Sequence, residues 1–109
     1  MKKEELDLIE VYIYANHIQG LSTCVQLQNL KNNNYVYEFG KFTEFLSQKM
    51  LKTVEKKLKK KKLSTLSFLI LKKELSSFKF YNVPEKNLSA LCLLSEKYRF
   101  YEQMLINCG

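Results

Sequence analysis

The chain has 109 residues, of which 46% are hydrophobic and 13% aromatic, enough for one modest core, not enough for two, and too apolar for a disordered segment. Its formal charge of +7 comes from 17 lysines and the single Arg99, set against ten glutamates and Asp7. Arginine makes the bidentate contacts that read phosphate and guanine, whereas lysine is a hydrated point charge, so this composition argues against a dedicated nucleic-acid reader.

In chain order, residues 4–18 are predicted as a first helix. Glu4, Glu5 and Asp7 fall in a first turn whose dipole favours acids, Leu6, Ile9, Ile13 and Ile18 lie near one face, and Gly20 reads as a stop. Val11-Tyr12-Ile13-Tyr14 has strand propensity as well. Ser22 reads as the N-cap of a second, antiparallel helix to Lys31, with Val25, Leu27 and Leu30 as a narrow apolar face. Asn32 to Asn34 form a loop, because Asn tolerates left-handed backbone and competes with helix through its side chain. A long third helix is predicted from about Phe39. Phe42, Leu46, Met50, Val54 and Leu58 recur four apart, a stripe that advances only slightly around a helix of 3.6 residues per turn. It ends in Glu55-Lys56-Lys57-Leu58-Lys59-Lys60-Lys61-Lys62, where the macrodipole favours the lysines and their mutual repulsion opposes them.

Leu63 to Leu75, with Leu66, Phe68, Leu69, Ile70 and Leu71, is apolar nearly all round and reads as a central helix, with Ser64 as its cap. Residues 76–83 read as an extended connection with room for a short strand. Pro84 and Glu85 open one last helix, whose inner face is Leu88, Leu91, Leu94 or Ser95, Tyr98, Tyr101 and Leu105, and which stops at Asn107-Cys108-Gly109. The whole is an all-α single domain, 1–109, of about five helices, without an internal repeat or a flexible linker.

Val36-Tyr37-Glu38-Phe39-Gly40, with Glu44 beyond it and Gly20 and Cys24 before it, resembles the N-terminal part of the COP9 signalosome subunit 7 family, helical-repeat proteins of the PCI class. Lys62-Leu63-Ser64-Thr65-Leu66-Ser67-Phe68-Leu69 is similar to the Lys-Leu-x-x-Leu-Thr helix that opens the winged-helix half of that family. The resemblance covers about half of the chain in two pieces. It departs at Lys41, where the family has an acid, at Lys79-Phe80-Tyr81, where it has Pro-Tyr, and in the lack of much of the intervening segment and of room for a wing. It implies a helical-repeat part over 1–62 and a reduced helix-turn-helix over 63–109, winged-helix-like without a clear wing. It further implies a non-catalytic scaffold subunit whose partners are other protein subunits of a complex. On this reading Phe39 and Phe42 fix the packing of one helix pair on the next, and Tyr37 and Phe39 reach partners. Lys56, Lys57, Lys59, Lys60, Lys61 and Lys62 dock an acidic neighbour.

No enzyme is expected. His17 has neither a nucleophile nor an orienting group in reach, since Asp7 lies more than two turns away, and it reads as a structural or surface histidine. Cys24 and Cys92 fall on apolar helix faces as small hydrophobes, and Cys108 sits on an exposed tail with nothing near it to lower its pKa. Three unpaired cysteines and one histidine suit a reducing compartment, cytoplasm or nucleus, better than a disulfide framework or a zinc site. Three glycines allow no Gly-rich phosphate loop, and the glutamates form no acid pair. No cofactor is implied. Met1-Lys2-Lys3 runs into Glu4 and Glu5 rather than into an apolar signal, and no apolar run approaches the roughly 20 residues that span a bilayer, so no membrane partner is expected.

Lys56 to Lys62 also has a plain reading, a solvated helix end in a lysine-biased chain. A second functional reading is contact with nucleic acid, which makes this a small basic RNA- or ribosome-associated protein with steeply salt-dependent affinity. Against it, no aromatic platforms interleave with the run. A third is a small helical adaptor that binds a host protein through an exposed apolar patch.

Overall fold

A computed structural model describes residues 2–31, 33–77 and 80–108. The described chain is all-helical: α1 (Lys3–Gln28), α2 (Asn34–Lys60), α3 (Thr65–Ser77), α4 (Pro84–Glu96) and α5 (Tyr98–Asn107). The side-chain contacts set the directions. Lys61 pairs with Glu4, and the Ser67 hydroxyl donates to Glu5 at 3.0 Å, so α2 ends and α3 begins beside the start of α1. Asn87 donates to Gln28 at 3.3 Å, so α4 begins beside the end of α1. The helices therefore run up, down, up and down, with α4 and α5 sharing the last pass. All four other helices pack on α1, in a body of 46 × 25 × 19 Å.

The expected number of helices is found, with three boundaries drawn differently. The two helices predicted over 4–18 and 22–31 are one, because Gly20 does not take the left-handed conformation of a helix stop. A mid-helix glycine costs about 0.5–1 kcal/mol relative to alanine. Here Ile18, Leu21 and Val25 carry the buried stripe of Leu8, Val11, Tyr14 and Ala15 straight past it, and that burial is worth more. Ser22 is not a cap but a fully buried residue in the middle of α1. The helix ends at Asn29, whose side chain donates to the Val25 carbonyl at 2.8 Å.

α2 starts more than a turn earlier than predicted. Asn33 is extended, and its side chain accepts from the Val36 amide at 3.2 Å, the bond that an N-cap makes. Tyr35 to Phe39 are therefore already helical. The predicted stripe is half buried: Met50 and Val54 lie in the core, whereas Phe42 is 60% exposed. In its first half α2 presents Gly40, Thr43 and Ser47 to α1 instead. The hydroxyls of Ser22 and Thr43 meet at 2.6 Å in the buried crossing. A Cβ added at Gly40 would stand 2.9 Å from Gln26 Cγ and 3.1 Å from the Ser22 carbonyl oxygen. Small residues bring the two backbones together and turn the aromatic side of the helix outward.

Ser64 does cap α3, accepting from the Ser67 amide at 3.1 Å. The helix is not central, however. Ser67 is its only buried residue, and Leu66, Phe68 and Leu69 stand 55–59% exposed. The centre is taken by α1, which is twice as long and closes the core against α2, α4 and α5. No strand occurs among the described residues of 76–83; Phe78 and Lys79 lie outside them. Tyr81 is tied to buried Asn87, which accepts from its amide at 3.0 Å and donates to its carbonyl at 2.8 Å.

The predicted last helix is broken at Lys97. The Leu94 carbonyl accepts both the Tyr14 hydroxyl and the Lys97 amide, a tightened turn in place of the α-helical ladder. The break lets Tyr101 lie flat on Tyr14, ring centroids 3.9 Å apart. Burial, and then Tyr101 and Tyr98, push the Tyr14 pKa far up, which keeps its hydroxyl a donor. Leu91, Leu105 and Cys108 complete the core from this side.

Candidate functional site

The predicted partner-binding residues fall at two places. Tyr37 and Phe39 lie in the first turns of α2 and the lysine run at its end; at about 1.5 Å per residue, Tyr37 and Lys57 are about 30 Å apart along the axis. They do not form one surface. Phe39 is half-buried against the core, whereas Tyr37 lies under the Lys41 ammonium, 5.6 Å from its ring centre. Phe39 also joins Ile18, Phe42, Leu46 and Tyr98 in a small apolar cleft of about 100 Å³.

The lysine run is divided by its neighbours. Lys57 donates to the carbonyls of Leu105, at 2.9 Å, and Cys108, neutralising the negative end of α5. Lys61, the C-cap of α2, pairs with Glu4. Lys56, Lys59, Lys60 and Lys62 are exposed. Two of the six lysines are thus structural fasteners between α2, α1 and the end of α5, and four face outward. No feature of the sequence separates the two sets, because the partners are a backbone end and a glutamate more than 40 residues away.

Sequence reasoning missed the surface that stands out most in the fold, the outer side of α3. Its residues look like core residues, and only the position of α3 at the edge leaves them in solvent. Between α3, α1 and the α4–α5 arm runs an open groove of about 540 Å³, lined by Leu6, Ile9, Ile13, Ile70 and Leu94, with Glu10, His17, Glu74 and Tyr101 among them. Burial holds the His17 pKa below its ordinary value, against the pull of Glu74.

Two cysteine expectations are corrected. Cys108 is buried rather than exposed, and burial, with Asp7 and Glu4 adding and Lys57 and Lys61 opposing, pushes its thiol pKa up and leaves it un-ionised. Cys92 is exposed rather than packed as a small hydrophobe on an apolar helix face. Cys24 is half-buried, and burial raises its pKa too. Among the described residues no His, Cys, Asp and Glu cluster could hold a metal ion, and no helix is long and apolar enough to cross a membrane. In comparisons with family models, curated proteins and solved structures, no match to this chain is found.

Proposed function

We propose that this chain is a non-catalytic scaffold subunit of a multiprotein complex, the role that its resemblance to the COP9 signalosome subunit 7 family implies. The observation that supports it is the number of large apolar side chains that α1 leaves uncovered, on more than one side of the body. Leu27, Leu30 and Tyr35 flank the α1–α2 turn, Phe42 and Phe45 line the outside of α2, Leu66, Phe68 and Leu69 that of α3, and Leu93, Phe100 and Ile106 that of the last pass. Single exposed apolar residues are ordinary, but repeated groups of them mark surfaces that other proteins cover. Several such faces on one small body suit a subunit with more than one neighbour.

The RNA- or ribosome-associated reading rests on four outward lysines without interleaved aromatic platforms, a weaker basis. The test is a pull-down of the tagged chain from its native cells, nuclease-treated and washed at high salt, with the retained partners identified by mass. Helical subunits of one assembly, retained through both treatments, are the expected result. Partners that leave with nuclease or salt, or that prove to be ribosomal, overturn the scaffold reading in favour of the basic surface.

A further inference from the structure

The outer side of α3 carries apolar and basic side chains interleaved, with no acid. At about 100° per residue, Lys73 falls between Leu66 and Leu69 around the helix, and Lys72 between Leu69 and Phe68. All five are exposed. The one acid of α3, Glu74, lines the groove toward α1 on the opposite side. Exposed Lys59, Lys60 and Lys62 lead into the start of the helix and add positive charge there.

We infer that the outer face of α3 docks an acidic amphipathic helix of a partner protein, one whose apolar stripe meets Leu66, Phe68 and Leu69 and whose Asp or Glu residues meet Lys72 and Lys73. The inference rests on the scaffold reading and adds the face and the chemistry of one neighbour. Three side chains alone fall well short of the ~800 Å² that each partner buries in a standard interface, so the occupant must also cover the lysines, and only an acidic one does so without stranding charge.

A second copy of this chain would bring the same lysines against each other. A lipid surface suits helices that segregate their apolar and basic sides, and α3 interleaves them. A nucleic acid gains nothing from leucines. With no strand among the described residues, pairing at a sheet edge is not on offer, whereas an exposed helical ridge packs into the groove of another helix.

The experiment places a photo-reactive benzoylphenylalanine at Leu69 of the chain, or at Phe42 for comparison, in native cells, and sequences what each position captures. A segment with Asp or Glu interleaved along an apolar helical stripe, captured at residue 69, is the expected result. That segment as a labelled peptide should then bind the purified chain at low salt, and a Lys72→Glu, Lys73→Glu double variant should weaken binding at least tenfold with an unchanged helical circular dichroism signal. Capture at residue 69 of lipid, RNA, a second copy or a basic segment overturns the inference, as does a peptide indifferent to the double variant. Capture of protein at residue 42 but nothing at residue 69 overturns it too, while leaving the scaffold reading intact. Silence at both positions, in an extract where the chain also sediments alone, removes both.

Discussion

The α1–α2 hairpin and α3 are built from similarly apolar sequence and have opposite fates. The hairpin buries Leu8, Val11, Leu21, Val25 and Val54 almost completely, and it closes through a crossing of Gly40, Thr43, Ser47 and Ser22. α3 buries one serine and is held to α1 partly through the Ser67 to Glu5 hydrogen bond. Apolar content therefore does not decide what is core. Length and close approach do: two long helices with small residues at their crossing cover one another, and a short helix at the rim lies mainly on α1.

The largest effect that would sharpen this contrast comes from one substitution made in both regions. Leu21→Ala should cost about 3 kcal/mol by emptying a filled site in the core, whereas Leu69→Ala should change stability by less than about 0.5 kcal/mol. Urea unfolding of the two variants measures both, and equal costs would show that α3 is as well packed in solution as the hairpin. Next, Gly40→Leu should cost about 2 kcal/mol, because the new side chain meets the Ser22 carbonyl across the crossing and the helices must part. An unchanged urea midpoint would mean that the hairpin is not closed there.

A smaller effect tests the divided lysine run. Lys57→Ala should cost about 1 kcal/mol through its lost bonds to the end of α5, and Lys59→Ala close to nothing. Equal responses in thermal melts would argue that all the lysines are solvated. The smallest concerns pH. His17 is held below its ordinary 6.5 in the folded state, so the unfolded chain takes up its proton first as pH falls. Stability should then be fully present above pH 6.5 and decline as the pH drops through the window beneath it, and His17→Gln should flatten that part of the profile. A wild-type profile with no such decline would place His17 in open solvent and the groove under α3 with it.

Much of this was legible in the residues themselves. The all-α class, the long helix with Met50 and Val54 facing inward, the cap at Ser64 and the helix opening at Pro84 follow from local chemistry. Gly20, Ser22 and Phe42 misled for one reason, that each carries a local signal which a neighbour overrides, and the break at Lys97 has no local signal to read. Buried Leu21 and Val25 carry α1 through Gly20 and Ser22, the Tyr14 hydroxyl draws on a carbonyl at the break beside Lys97, and Gly40 turns Phe42 away from α1. Of the candidate site, the sequence already put Tyr37 and Phe39 near the start and the lysines at the end of one long helix, but not that Lys57 and Lys61 are held by the end of α5 and by Glu4 while the other four face outward.

Periodicity and capping act within a few residues, so the sequence alone determined that this chain is helical and where most of its helices begin. Which helix lies at the centre, which lysines face water and which apolar side chains stay uncovered were decided only in the tertiary structure. They depend on which segments far apart in the chain approach closely: Gly40, Thr43 and Ser22 let α1 and α2 close on one another, and Glu4 and the end of α5 take up Lys61 and Lys57.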